Sequence, residues 1–390
     1  MGDRYYFDHA GTSPLDEEVF AAMKPYFMNK FGNPSSIYQE GQEAERAINN
    51  AREQVKEFIN ASDTREIIFT GSGTEADNLA IKGIAMALED QGNHVITSEI
   101  EHHAVLHTCE FLEEQLDFEV TYLSVDENGF IDVEELKNSI RSDTILISIM
   151  MANNEIGTIQ PVKKISEIAS ENDIYFHTDA VQAAGQVEID VQDLQVDLLT
   201  LSAHKINGPK GVGALYVKKG VKLIPQMTGG AQERNRRAST ENVPGIVGFG
   251  KAASLAQKRL PEKQERLSKL RDKIIDTVME EIDEVILNGP RGDKRLPNNV
   301  NFCFRYIEGE SILLNLDMHN IAASSGSACT SGSLDPSHVL LATGLSHEVA
   351  HGSLRLTLGY NNTEEEVNYL LDILPDVIQK LRDMSPLYEG

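Results

Sequence analysis

Seven short apolar runs rich in β-branched residues set the strongest constraint on this chain: REIIFT (65–70), HVITS (94–98), EVTYLSV (119–125), TILISIMM (144–151), IYFHTD (174–179), VDLLTLSA (196–203) and GALYV (213–217). Between them lie segments such as TEADNLAIKGIAMALED and HHAVLHTCEFLEEQL, with apolar residues at the three-to-four spacing of amphipathic helices. Strands that alternate with helices predict an α/β domain, its sheet largely parallel and covered on both faces.

The texture changes near residue 258. There LPEKQERLSKLRDKIIDTVMEEI begins a long charged helix whose face is set by Leu267, Leu270, Ile274 and Val278. Short strands (NNVNFCF, NIAASS, SLRLTLG) then mix with helices, and Thr363 before Glu364, Glu365 and Glu366 predicts an N-cap with acids in the first turn of the last helix. A smaller α+β domain is expected here, and a length of 390 residues leaves room for it.

Charge narrows the partners. Asp and Glu total 61 against 35 Lys and Arg, a net −26, so the surface repels nucleic-acid backbones and anionic lipids. Arg234, Arg236 and Arg237 form the one compact basic run. No apolar stretch reaches 18 residues and the N-terminus lacks the pattern of a signal peptide, which predicts no membrane span and a cytoplasmic address. Three cysteines fit neither a disulfide framework nor a zinc knuckle. Cys109 and Cys303 read as small buried hydrophobes. Cys329 sits among small polar residues in SSGSACTSGS, and residue types alone leave it open between a reactive thiol and a chance surface cysteine.

Several sites invite two readings. In TGSGTEADN, the strand runs through Gly71, Ser72, Gly73 and Thr74 into a helix; this is either a phosphate cradle at a helix N-terminus or an ordinary tight turn. Lys205, with His204 at the exit of a buried strand, is either a desolvated amine suited to a Schiff base or a lysine reaching for water. Asp179 ends another strand at the edge where α/β sheets bind ligands, either paired with a cofactor's pyridinium or capping the next helix. Residues His347 to His351 match H-E-x-x-H literally, but Gly352 stops the helix and no third ligand follows, so a zinc hydrolase is set aside. His102, His103 and His107 recur at helical spacing without a carboxylate or thiolate cage, and no metal is expected.

Together, YFDHAGTSP, FGNPSS, FTGSGTEADNLAIKG, SEIEHHAV, NNEIGTIQP, FHTDAVQ, SAHKINGPKG, RRASTENV and SSGSACTSGS follow the order found in NifS/IscS-like cysteine desulfurases. The chain resembles this family, part of the class-V aminotransferases of fold-type-I pyridoxal-phosphate enzymes, from residue 6 to about 383. The resemblance implies a large cofactor domain over 14–258 with a mostly parallel seven-stranded sheet, and a small α+β domain over 259–390 on which residues 1–13 pack. It makes Lys205 the lysine that carries pyridoxal 5′-phosphate and Asp179 the partner of the pyridine nitrogen. Gln182 would bond the phenolic oxygen, His102 would stack on the ring and move protons, and Asn154 would lie on the cofactor's side. Gly73, Thr74, Ser202 and His204 resemble the phosphate cup, with Thr240 supplied by the neighbouring subunit of a homodimer whose active sites are shared. Arg355 would clamp the substrate α-carboxylate, helped by Asn33.

The implied reaction converts L-cysteine to L-alanine, with sulfur held as a persulfide on Cys329. Within the same fold, a selenocysteine lyase or an aminotransferase is the alternative, and the latter has no need of Cys329. EHH at 101–103 and RRAST at 236–240 depart from the commoner EHK and RRSGT, with His102 and Thr240 kept. The sequence ends at SPLYEG, short of the tail with which housekeeping relatives dock an iron–sulfur scaffold protein. A dedicated sulfur acceptor such as a tRNA-thiolating enzyme therefore stands beside the scaffold as the expected partner.

Overall fold

The computed structural model describes residues 4–326 and 335–388. In chain order its strands are β1 (Tyr5–Tyr6), β2 (Ile67–Thr70), β3 (His94–Ser98), β4 (Glu119–Leu123), β5 (Thr144–Ser148), β6 (Tyr175–Asp179), β7 (Leu198–Ser202), β8 (Gly213–Val217), β9 (Val285–Leu287), β10 (Asn299–Phe304), β11 (Ile321–Ala322) and β12 (Ser353–Thr357). The seven apolar runs became the seven strands of one sheet, ordered β2-β8-β7-β6-β5-β3-β4. Only β8 runs against the others, pairing antiparallel with both β2 and β7. Five of these strands (β2, β3, β5, β7 and β8) are buried along their whole length, which is why they read as continuous apolar runs and not as alternations.

Helices cover both faces. On one side the helix Gly73–Leu88 packs with the helix His103–Leu116 in a core that includes Ile81, Ile84, Val105 and Leu112. On the other, Gln39–Phe58 lies against the first part of Val243–Glu281 and fills a core with Ile48, Val55, Ile246 and Phe249. Val243–Glu281 is one helix of 39 residues with Pro261 inside it. Its later residues, Leu267, Leu270, Ile274 and Val278, join a second core with Val300, Phe302 and Leu354 of the antiparallel sheet β12-β10-β9. The change of texture near residue 258 thus marks a change of packing partner within a continuous helix.

The N-terminal segment belongs with this second core. Strand β1 pairs parallel with β11, Phe7 is fully buried, and Asp8 bridges to Thr357. Thr363 caps Glu364–Met384 as its sequence predicts, accepting from the N–H of Glu366 while the Glu366 carboxylate bonds back to the N–H of Thr363. Among the described residues, no helix is long and apolar enough to cross a membrane.

Candidate active site

Six parallel strands end on one side of the sheet, where turns leave backbone groups open for a ligand. There a cavity of about 300 Å³ is lined by Gly73, Thr74, Asp77, His102, Asn154, Asp179, Gln182, Ser202, His204, Lys205 and Arg355, with Ala10, Gly11 and Gly326. Ten residues singled out in the sequence therefore share one wall. They arrive from the ends of β3, β6 and β7, from the first turn of Gly73–Leu88, from the turn after Ala152 and from β12 on the second core.

Lys205 follows β7 in a short 3-10 turn, and its Nζ donates to the carbonyls of Ala10 (2.5 Å) and Gly11 (2.7 Å). Gln182 donates to the same Ala10 carbonyl at 3.0 Å. Asp179, the last residue of β6, is buried, and its Oδ1 accepts the N–H of Val181 at 2.8 Å. Burial pushes its carboxyl above the usual range, against the pull of the Val181 N–H and the Lys205 ammonium. A cationic ligand ring placed against this carboxylate would restore the anion.

His102 caps His103–Leu116, its Nδ1 accepting the N–H of Ala104 at 3.1 Å, so the proton of the neutral ring lies on Nε2. Burial, aided by the charge of Lys205, pushes His102 down to about 4, and the imidazole is neutral at pH 7. His204 is likewise pushed down to about 4, and its Nδ1 lies 3.1 Å from Thr12 Oγ1. Arg355, on β12, is 2% exposed; its Nη2 donates to Asp8 Oδ1 at 2.8 Å and its Nη1 to the Asn154 carbonyl at 3.1 Å. Its Nε is buried and has no hydrogen-bond partner among the described residues.

Two sequence candidates among the described residues lie elsewhere. Thr240 lines a separate cavity of about 160 Å³ with Gly71 and Arg237. Asn33 is exposed, its side chain accepting the N–H of Ser35. Cys329 lies outside the described residues. Cys109 and Cys303 are buried as expected; burial pushes the first thiol far up and the second to about 11, so neither is a nucleophile at neutral pH. His347, Glu348 and His351 are exposed on a five-residue helix, and no cluster of metal-ligating side chains occurs among the described residues.

Two carboxylates escaped the sequence reading, one lining the cavity and one paired with Arg355. Asp77 is 1% exposed, one turn into Gly73–Leu88, and its Oδ1 has no hydrogen-bond partner. A carboxylate on the buried face of an otherwise apolar helix was a legible signal. Asp8 gave none, because its partner Arg355 is 347 residues away.

Residues 5–370 match the class-V aminotransferase family. A protein of Clostridium botulinum named cysteine desulfurase IscS is 57% identical over 390 residues, which span all of this chain and 98% of that one. This chain belongs to the class-V aminotransferases, and within them to the cysteine desulfurases. A Methanosarcina thermophila protein of the same name is 59% identical over 382 residues, 98% of this chain and 94% of its own. A solved NifS-like protein superposes with a TM-score of 0.91 at 37% identity, covering 97% of this chain and all of that one. The family's fold is the one described above, and its cofactor is pyridoxal 5′-phosphate.

The residues fit that cofactor. A Cβ at Gly73 would come 3.0 Å from Val181 Cγ2 and 3.4 Å from Ser202 Cβ, so the glycine keeps a cradle open at a helix N-terminus, where an anionic phosphate is favoured. One lysine for a carbonyl, one buried carboxylate for a ring nitrogen and a neutral imidazole complete the donor set.

Proposed function

We propose that this cavity takes sulfur from L-cysteine and passes it to Cys329. The observation that carries this reading is the meeting of Lys205, Asp179 and Arg355 in one cavity, although they come from β6, the end of β7 and β12. Pyridoxal phosphate, when bound, supplies an electron sink for the substrate's α-carbon. Lys205 holds it and then takes the α-proton. Asp179 keeps its ring nitrogen protonated, Gln182 bonds its phenolic oxygen, and Asn154 flanks it. Gly73, Thr74, Ser202 and His204 hold its phosphate, while neutral His102 stacks on the ring and donates from Nε2. Arg355 orients the substrate carboxylate.

Sulfur changes hands when the Cys329 thiolate attacks the substrate's sulfur. An S–S bond forms and the C–S bond breaks; its electron pair goes to the β-carbon, which takes a proton and leaves in L-alanine. No external oxidant is consumed.

The working unit is a homodimer with shared sites. Supporting this, Met28, Phe31 and Ile37 are 77%, 73% and 90% exposed around Asn33, an apolar patch that a second copy would cover. Thr240 then completes the neighbour's phosphate cup, and Asn33 assists carboxylate binding. The persulfide goes on to an iron–sulfur scaffold or a tRNA-thiolating enzyme in the cytoplasm.

Sulfide and alanine production from L-cysteine with a reductant, in wild type beside Cys329→Ala, tests the reading. Equimolar products that vanish in the variant support it. Products undiminished in the variant overturn the role of Cys329.

A further inference from the structure

The turn that places Asn154 in the cavity also places Glu155 just outside it. Glu155 is 4% exposed, and its backbone is fixed on three sides. Asn153 Oδ1 accepts the N–H groups of Glu155 (2.8 Å) and Ile156 (3.0 Å), and the Nδ2 atoms of Asn299 and Asn301 on β10 each donate to the Glu155 carbonyl at 3.1 Å. Glu155 is not among the residues that line the cavity. Instead Oε2 accepts a hydrogen bond from Ser337 Oγ at 2.5 Å, and the same hydroxyl caps the helix His338–Ala342. On its other flank lies Gly326, at φ +92°, where a Cβ would come 2.9 Å from the same Oε2. One buried oxygen thus bonds Ser337 and lies where Gly326 has no room for a side chain, and these two residues flank the 327–334 stretch in which Cys329 lies.

The approach to Gly326 is anchored independently. Arg355 and Ser324 exchange backbone hydrogen bonds, and Ser353 Oγ donates to the Ser325 carbonyl at 2.7 Å. The substrate arm and both ends of the cysteine segment therefore meet in the turn 153–156. A carboxylate is an expensive group to bury for packing alone.

We infer that Glu155 is a positioning residue for the sulfur-accepting step: by bonding Ser337 beside Gly326, its carboxylate holds the two flanks of the cysteine segment for attack on the substrate's sulfur. The inference rests on the role proposed above for Cys329. Glu155 holds no part of the cofactor or substrate, so its loss should slow sulfur transfer while leaving their binding intact.

The test compares cofactor-loaded wild type with E155A, E155Q, S337A, the double variant E155A/S337A and C329A. Two quantities are read: the cofactor's visible absorbance and its change on adding L-cysteine, and the rate at which persulfide appears on Cys329 in a single turnover, followed by mass spectrometry. E155A and S337A are expected to keep the wild-type spectra while persulfide formation falls roughly ten- to a hundredfold. E155Q, whose amide can still share a hydrogen bond with Ser337, should stay near wild type, and the double variant should be no slower than either single one. If E155A does not fold, S337A and E155Q decide. Wild-type persulfide rates in S337A, or a loss in E155A that E155Q does not repair, overturn the inference. C329A that still releases sulfide overturns it together with the reading beneath it; inactive C329A beside full-speed E155A overturns the inference alone.

Discussion

Asp8 and Arg355 form an ion pair at 2.8 Å between the N-terminal segment and strand β12. The arginine side chain is 3% exposed and the aspartate 22%, so the pair lies at the rim of the cavity with its cation on the inner side. Asp8→Ala leaves that cation without a carboxylate, and a loss of about 3 kcal/mol of stability is expected. Asp8→Asn, which keeps a hydrogen-bond acceptor, should lose less. Urea unfolding of the two variants checks this, and equal losses would mean that the charge of Asp8 is not what matters.

His177 lies inside the sheet on β6, its Nδ1 2.9 Å from Ser148 Oγ and its Nε2 3.0 Å from Thr200 Oγ1. Burial pushes it down to about 3. The unfolded chain binds a proton here near pH 6.5 and the folded chain does not, so this residue's contribution to stability is lost as pH falls below 6.5. Other buried groups titrate in the same range with the opposite sign, Glu101 among them, pushed up to about 8. The clean measurement is therefore a difference. Relative to His177→Gln, wild type should lose about 2 kcal/mol between pH 7 and pH 5 in urea midpoints. A gap that does not change with pH would mean that His177 titrates alike in the folded and unfolded chains.

Two buried carboxyls face one cavity, and they should differ in their demands on the cofactor. Burial and the neighbouring charge of Asp179 push the Asp77 carboxyl well above the usual range, so Asp77→Asn, which puts an uncharged group there, should leave cofactor affinity nearly unchanged. Asp179→Asn would remove the charge-assisted bond proposed for the ring nitrogen, and the affinity for pyridoxal phosphate should fall about ten- to a hundredfold. Equilibrium titration of the apo proteins distinguishes them; equal losses would make Asp77 an anion in the working site.

The segment that carries Thr240 depends on a buried ion pair. Arg52 meets both carboxylate oxygens of Glu233 at 2.6 and 2.8 Å, and Glu233 also accepts the N–H of Phe69. Glu233, Arg234 and Asn235 all have left-handed backbones, a conformation held only where the surroundings impose it. Arg52→Met is expected to lose about 3–5 kcal/mol by leaving Glu233 unpaired. Adding Glu233→Gln should recover part of that loss in thermal unfolding; no recovery would place the strain elsewhere.

What the sequence determined by itself was the pattern of burial. Fully apolar runs can only be strands covered on both faces, so the sheet and its helices were legible in order, as was the cap at Thr363. Lys205, Asp179 and the Gly71–Thr74 turn were legible as strand exits and a helix entry, because each is a local feature of chain direction. Their chemistry became specific only through the order of motifs along the whole chain. Tertiary structure alone decided which distant groups meet. Asp8 reaches Arg355, Glu155 reaches Ser337 and Arg52 reaches Glu233 across separations of 347, 182 and 181 residues. Local propensity carries no trace of such pairs. They exist because a charge removed from water needs a partner, and tertiary packing fixes which partner is within reach.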